Sequence, residues 1–182
     1  MSKYGGLKKS RGVKMGILES NVLKGFVRLC DDGWRQGWHE RNGGNLTYRM
    51  RKEEVEECKP YFTYDRPWVN MGVQADNLAG EYFMSTGTGK YFRNMSLAPE
   101  ENLCIVEIND KGDSYRIVWG LTKGGGPTSE FPSHFLNHSV KTAETNGEAR
   151  VIYHAHPTNI IALTFVLPLT DSAFSKVLWQ SM

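Results

Sequence analysis

The stretch Arg150-Val151-Ile152-Tyr153-His154-Ala155-His156-Pro157 places three β-favouring residues before an alternation of histidine and alanine. Side chains two apart in a strand point to the same face, so the pattern predicts a strand that presents His154 and His156 side by side. Two adjacent imidazoles supply two of the nitrogen ligands that zinc prefers, and catalytic zinc sites usually add a third protein ligand. The alternative is a pair of polar residues at a strand end that hydrogen-bond to the backbone.

The composition describes one ordinary globular domain. A chain of 182 residues can form a single hydrophobic core, and its 40% hydrophobic and 23% charged residues lie in the usual range for folded domains. The net charge of +2 gives no reason to expect a nucleic-acid partner. The lysine- and glycine-bearing residues 1–15 are predicted to form a flexible N-terminus ahead of a domain at 16–182.

The chain is also predicted to stay in the cytoplasm and away from membranes. No run approaches the ~18 apolar residues of a membrane helix, and the first twenty residues lack the apolar core of a signal peptide. Cys30, Cys58 and Cys104 are odd in number and widely spaced, which favours a reducing compartment over a disulfide framework.

The first half of the chain predicts a long helix followed by a glycine-rich turn. Apolar residues recur at threes and fours from Gly16 to about Arg41, and this spacing places Trp34 and Trp38 against the core. The turn at 42–45, Asn-Gly-Gly-Asn, ends the helix, and a strand follows at 46–50. Its glycines could alternatively let backbone amides approach an anion, although the turn alone is the simpler interpretation.

A second glycine-bearing loop follows an apolar strand at Ser85-Thr86-Gly87-Thr88-Gly89-Lys90. The order required of a nucleotide P-loop is absent because Tyr91 follows the lysine, so ATP binding is not expected. A small phosphate cradle made of hydroxyls and glycine amides stays open.

The remaining elements predict an antiparallel sheet with helices. Two strand-like runs at 103–108 and 114–120 are joined by the turn residues 109–113, which indicates a hairpin. Helices are predicted from Thr128 or Ser129 to Glu144, over a buried stretch at 159–166, and from 171 to 179. The inner side of the first of these helices is predicted to carry Phe131, Phe135, Leu136 and Val140. Residues 51–78 predict a short helix at 52–58 and a loop.

Four stretches then stand in order, at 42–45, 86–90, 127–130 and 154–159. Together they resemble the class II aldolase and adducin family from about residue 16 to the end. The sequences at 40–47 and 89–94 are similar to those of the branch of the family that acts on L-rhamnulose 1-phosphate. The resemblance implies a three-layer α/β fold of the α+β type, in which helices flank a central, mostly antiparallel sheet.

The resemblance also implies a site. His154 and His156 would be two of three ligands to one zinc ion per subunit, and Glu130 would be the general acid/base. The substrate phosphate would be bound by five residues, Asn42, Asn45, Thr88, Gly89 and Ser129. Without the resemblance, Glu130 is an acidic residue in the first turn of a helix, where the helix dipole favours it.

The implied reaction is the reversible cleavage of L-rhamnulose 1-phosphate to dihydroxyacetone phosphate and L-lactaldehyde through a metal-stabilised enediolate. The implied assembly is a homotetramer with sites at subunit boundaries. Two alternatives stay open: a non-catalytic, adducin-like interaction domain or inactive fragment, and a related fuculose-phosphate aldolase or epimerase that acts on another sugar phosphate.

One departure from the family concerns the third zinc ligand. Members of the family continue beyond the position matched by Met182 and take their third histidine from a later strand, so the chain is expected to be incomplete at its C-terminal end. The other histidines are His39, His134 and His138. They are expected to face solvent or to hydrogen-bond, and not to replace that ligand.

Overall fold

The computed structural model describes residues 16–180, so the flexible N-terminus predicted at 1–15 lies outside the described residues. The strands are β1 (Asn45–Arg49), β2 (Val69–Asn70), β3 (Tyr82–Thr86), β4 (Leu103–Ile108), β5 (Ser114–Gly120) and β6 (Val151–His154). The α-helices are α1 (Asn21–Arg35), α2 (Lys52–Cys58), α3 (Pro99–Asn102), α4 (Phe131–Glu144), α5 (Thr158–Val166) and α6 (Asp171–Gln180).

The strands form one six-stranded sheet in the order β2-β5-β4-β3-β1-β6, and every neighbouring pair is antiparallel. The predicted hairpin joins β4 to β5. Its turn is held by Asn109, whose Oδ1 accepts hydrogen bonds from the N–H groups of Asp113 and Ser114. The predicted antiparallel sheet is confirmed.

The sheet lies between two helical layers. Side chains alternate along β4, so Ile105 joins a core that contains residues of α1 and α2, whereas Cys104 and Val106 join a second core that contains residues of α4. The helix predicted at 52–58 is confirmed as α2. The predicted three-layer α/β arrangement is therefore confirmed.

The first helix is shorter than predicted. It starts after the cap Ser20, whose side chain accepts from the N–H of Leu23, and it ends at Arg35. Gly37 follows with a φ of +73°, which a helix cannot contain. Trp34 and Trp38 are 42% and 36% exposed, so the prediction that both pack in the core is wrong. Trp38 lies beyond the helix end, where helical spacing no longer applies.

The inner face of α4 also differs from the prediction. The helix begins at Phe131, later than predicted, and Leu136 and Val140 on it are 41% and 58% exposed. His134 and His138 lie on the buried face instead, because hydrogen bonds to the sheet replace the solvation that these imidazoles lose. Their expected hydrogen-bonded role is observed.

The helix predicted to be buried at 159–166 is exposed. In α5, Ile160, Ile161 and Phe165 are 41%, 43% and 84% exposed. A helix that is apolar all round carries no periodic signal for which face is covered, so its burial could not be read from the pattern. The last helix, α6, begins at Asp171 as predicted, and its N-cap is Thr170, whose Oγ1 lies 3.4 Å from the N–H nitrogen of Ala173.

Within residues 16–180, no helix combines the length and the apolar character needed to cross a membrane.

Candidate active site

A polar cavity of about 320 Å³ opens where the start of β1 and the end of β6 meet two loops. One loop follows β3, and the other leads into α4. The lining includes all eight residues that were predicted for the site, namely Asn42, Asn45, Thr88, Gly89, Ser129, Glu130, His154 and His156. Residues that are more than 100 positions apart in the chain are therefore brought to one place.

Backbone hydrogen bonds join the two loops. Gly87 pairs with Pro127 in an isolated antiparallel bridge. The N–H of Thr128 donates to the carbonyl of Thr86 at 2.7 Å, and the N–H of Thr88 donates to the carbonyl of Gly126 at 3.0 Å. The phosphate-cradle candidate after β3 and the loop that carries Glu130 therefore form one hydrogen-bonded wall of the cavity.

His154 and His156 converge through their Nε2 atoms, which lie 3.1 Å apart. The backbone holds His156 in place beyond the end of β6, because its N–H donates to the carbonyl of Trp38 at 2.8 Å. Two imidazole ligands of a tetrahedral zinc ion have nitrogens roughly 3.3 Å apart, given the usual Zn–N length of ~2.0–2.1 Å. The pair therefore fits two of the ligand positions of such an ion.

Glu130 contacts the opposite edge of the His154 ring. Its Oε2 accepts the Nδ1 hydrogen of His154 at 2.9 Å, which leaves the Nε2 lone pair of His154 directed toward His156. A carboxylate in this place fixes the tautomer and orientation of a metal-binding histidine. Glu130 Oε1 makes no hydrogen bond to any other residue in the range 16–180 and is available to a ligand.

Asn45 lies beside this pair on the neighbouring strand. It is opposite His154 in the β1–β6 register, and its Nδ2 is 3.4 Å from His154 Nδ1. Asn45 is 6% exposed, yet its Oδ1 has no hydrogen-bond partner among the described residues. Buried polar atoms are rarely left in this way, so the atom indicates a place for a ligand.

The other predicted phosphate-binding residues also make no side-chain hydrogen bonds to the described part of the chain. Asn42, Gly89 and Ser129 make no hydrogen bond to another residue of the described part of the chain, and Thr88 bonds only through its backbone. Gly89 has a φ of +68° and open space beside its Cα. These neutral donors form an opening suited to an anion, because N–H and O–H groups can surround phosphate oxygens without bringing a fixed charge.

The two histidines do not make a complete metal site by themselves. Across residues 16–180, no group of three or more His, Cys, Asp or Glu side chains is arranged to hold a metal ion. His39, His134 and His138 are directed elsewhere, into hydrogen bonds with Tyr153, Gly43 and Thr47.

Sequence reasoning missed two residues that contact the site from behind. His39 hydrogen-bonds to the carbonyl of Gly43 and to the hydroxyl of Tyr153. The only local signals were a glycine inside a helical pattern, Gly33, and a tyrosine next to the first metal-ligand candidate. Neither signal identifies a partner, since His39 and Tyr153 are 114 positions apart.

Comparison with known proteins gives a consistent result. The family model described as "Class II Aldolase and Adducin N-terminal domain" matches residues 24–179. The rhamnulose-1-phosphate aldolase of Yersinia pestis (strain Pestoides F) is 43% identical over 164 residues, and so is that of Yersinia pseudotuberculosis serotype I (strain IP32953). A sugar-phosphate aldolase from Thermotoga maritima superposes with a TM-score of 0.63 at 26% identity, over 78% of this chain and 55% of that one.

The two Yersinia matches cover 90% of this chain and 60% of each relative. The chain therefore spans about three fifths of the length of the curated relatives that it matches.

Proposed function

The chain belongs to the class II aldolase and adducin family, and from that premise we propose that it takes part in the cleavage of L-rhamnulose 1-phosphate to dihydroxyacetone phosphate and L-lactaldehyde. The observation that carries this proposal is the convergence of two imidazoles, one carboxylate and a set of unengaged polar groups in one cavity. The similarity to rhamnulose-1-phosphate aldolases supports the choice of sugar.

His154 and His156 would hold a divalent metal, which we propose to be zinc, one ion per subunit, with a third ligand that is not among the described residues. When bound, the metal would supply the Lewis acidity that stabilises the enediolate charge. Glu130 would keep the His154 ring oriented through the Nδ1 hydrogen bond.

Glu130 would also move the proton. In the cleavage direction, the hydroxyl on C4 loses its proton as the C3–C4 bond breaks, and the electron pair of that bond stays with C3. A proton must then be added to C3 to complete dihydroxyacetone phosphate. The unengaged Oε1 of Glu130 lines the same cavity, which supports a role as the general acid/base that would accept the first proton and return one.

The phosphate would be anchored by Asn42, Asn45, Thr88, Gly89 and Ser129. Phosphate is remote from the bond that breaks, so its binding energy can be used to orient the sugar and not to stabilise the ground state alone.

The test is a coupled assay for release of dihydroxyacetone phosphate by the purified chain in the presence of zinc, with zinc content measured in parallel. Glu130→Gln should lose at least ~100-fold in turnover while it keeps its zinc, because an amide is too weak a base to accept the substrate proton at neutral pH. Glu144→Gln is the matched control, since Glu144 is exposed at the far end of the same helix. Full activity of Glu130→Gln would contradict the assigned role.

The alternative functions predict other results in the same assay. A non-catalytic interaction domain would release no dihydroxyacetone phosphate at any zinc concentration. An aldolase or epimerase of the same family with another substrate would react with L-fuculose 1-phosphate or a pentulose phosphate in preference to L-rhamnulose 1-phosphate. The homotetramer remains a prediction from the resemblance, which native mass measurement would test, and the cytoplasmic location remains a prediction from the number and spacing of the cysteines.

A further inference from the structure

His39 is a buried, fully hydrogen-bonded histidine beside the cavity. It is 5% exposed and follows the end of α1. Its ring stacks on that of Phe92, with ring centroids 3.6 Å apart and an angle of 6° between the planes. Stacking fixes the plane of the His39 ring, and the hydrogen bonds of Nδ1 and Nε2 fix the directions of the two nitrogens.

The two hydrogen bonds define the protonation of this pair. His39 Nδ1 lies 3.0 Å from the carbonyl oxygen of Gly43, which can only accept, so Nδ1 carries the hydrogen. Nε2 then accepts from the hydroxyl of Tyr153 at 2.6 Å. Burial lowers the pKa of His39, which favours the neutral imidazole that these two hydrogen bonds require.

The loop at 42–45 is confined between two imidazoles. A Cβ at Gly43 would lie 2.8 Å from Nδ1 of His156, and a Cβ at Gly44 would lie 2.6 Å from Nδ1 of His39. Gly44 also has a φ of +77°, which other residues rarely adopt. The backbone of the loop can therefore lie against both rings only because it carries no side chains at these two positions.

Tyr153 connects this loop to the first helix. Its hydroxyl occupies the space beside Gly33 of α1, where a Cβ would overlap it. Tyr153 also precedes His154 in β6. A continuous set of contacts therefore leads from α1 through Tyr153 and His39 to the carbonyl of Gly43.

We propose that His39, fixed by Tyr153, is a positioning residue that holds the loop at 42–45 in the conformation in which Asn42 and Asn45 bind the substrate phosphate. This inference rests on the proposed function, because it assigns a task to the same phosphate site. His39 does not touch the substrate; it acts through the carbonyl of Gly43.

The test compares three substitutions at His39 with Tyr153→Phe. His39→Phe keeps a flat ring on Phe92 and removes both hydrogen bonds. His39→Asn restores a donor at the position of Nδ1, and His39→Gln restores a polar atom at the position of Nε2. Each protein is measured for affinity toward inorganic phosphate by calorimetry, for amide hydrogen exchange at 42–45 and for zinc content.

We expect His39→Phe to bind phosphate roughly tenfold more weakly and to exchange the loop amides faster, because the Gly43 carbonyl loses its buried partner. His39→Asn should recover most of the affinity, and His39→Gln should not. Tyr153→Phe should lie between His39→Phe and the parent protein, since it removes only the Nε2 partner. In the cleavage assay, KM should rise while kcat changes less.

The outcomes separate this inference from the proposed function. If the parent protein binds no phosphate, the phosphate site itself is wrong, and the exchange data alone decide whether His39 orders the loop. If His39→Phe keeps the parent exchange rates and phosphate affinity, or if Gln rescues as well as Asn does, the positioning role is overturned. If His39→Phe does not fold, Tyr153→Phe with unaltered loop exchange and affinity overturns it.

Discussion

A single hydroxyl, that of Thr47, hydrogen-bonds to two buried imidazoles. Its Oγ1 lies 2.9 Å from Nδ1 of His134 and 2.9 Å from Nε2 of His138. Because a hydroxyl has one hydrogen, it donates to one ring and accepts from the other. His138 Nδ1 is buried with no partner among the described residues, and an unpaired N–H is rarer than an unpaired acceptor, so the hydrogen of His138 belongs on Nε2. Thr47 therefore donates to His134.

Thr47→Val should be strongly destabilising, although the two side chains are nearly equal in shape. The substitution leaves an N–H of His138 and a lone pair of His134 buried without partners, at a cost of about 2–4 kcal/mol. Thr47→Ser keeps the hydroxyl and should lose much less, since it removes one methyl group. Urea unfolding of the three proteins measures the difference, and a valine variant as stable as the serine variant would contradict the shared hydrogen bonds.

The residues of the candidate site could be named from the sequence because they belong to short ordered motifs; they line one cavity, and their roles remain predictions. The motifs at 42–45 and 154–156 each carry chemistry that can be recognised locally. His39 and Tyr153 could not be assigned in this way, because their role depends on a contact between distant positions and on a ring stacked on Phe92. Such contacts follow from packing, which a single sequence does not display.

At the scale of elements, α1 contains two glycines with opposite surroundings. Gly25 has no heavy atom within 4 Å of the position of a Cβ, whereas a Cβ at Gly33 would overlap the hydroxyl of Tyr153. Glycine inside a helix is about 1 kcal/mol less favourable than alanine. Replacing glycine by alanine should therefore favour the helix at both positions, but at Gly33 the overlap with Tyr153 opposes this stabilisation, whereas nothing opposes it at Gly25.

Gly25→Ala should therefore stabilise the protein by about 0.5–1 kcal/mol, whereas Gly33→Ala should destabilise it. Adding Tyr153→Phe to Gly33→Ala removes the overlapping oxygen and should recover part of the loss. Thermal unfolding of the single and double variants gives the coupling between the two positions. Independent effects of the two substitutions would show that the hydroxyl does not occupy that space.

The elements themselves were predicted unevenly, for reasons that differ between them. The hairpin of β4 and β5 followed from alternation and from turn residues, which are both local. The end of α1 at Arg35 could not be predicted in this way, because apolar residues continue at helical spacing as far as Trp38. The burial of His134 in α4 depends on its hydrogen bond to Thr47 of another element, so no pattern within the helix could reveal it.

At the scale of the whole molecule, the site is assembled at one end of β1 and β6, and the buried histidines of α4 lie on the same face of the sheet. Opposite residues in an antiparallel pair share a face, so Asn45, His154 and Thr47 point toward α4. The layer that supports the cavity is therefore built around neutral imidazoles, and its stability depends on their remaining neutral.

This dependence predicts that the protein loses stability in mild acid. Burial lowers the pKa of His138 from 6.5 to about 3, with smaller contributions from His134 and Arg49, and burial also lowers the pKa of His134. Between pH 6.5 and about pH 3, His138 binds a proton in the unfolded chain but not in the folded protein. The free energy of unfolding therefore has its full value above pH 6.5 and falls as the pH decreases toward 3.

For His138 the total change over this range is on the order of 5 kcal/mol. Urea unfolding between pH 7.5 and pH 5 isolates the histidines, because most carboxylates titrate near ~4. His138→Gln removes one titrating group and keeps a donor toward Thr47, so its free energy of unfolding should fall less steeply over the same range. Parallel pH profiles for the parent and the variant would mean that His138 takes up its proton in the folded protein as readily as in the unfolded chain.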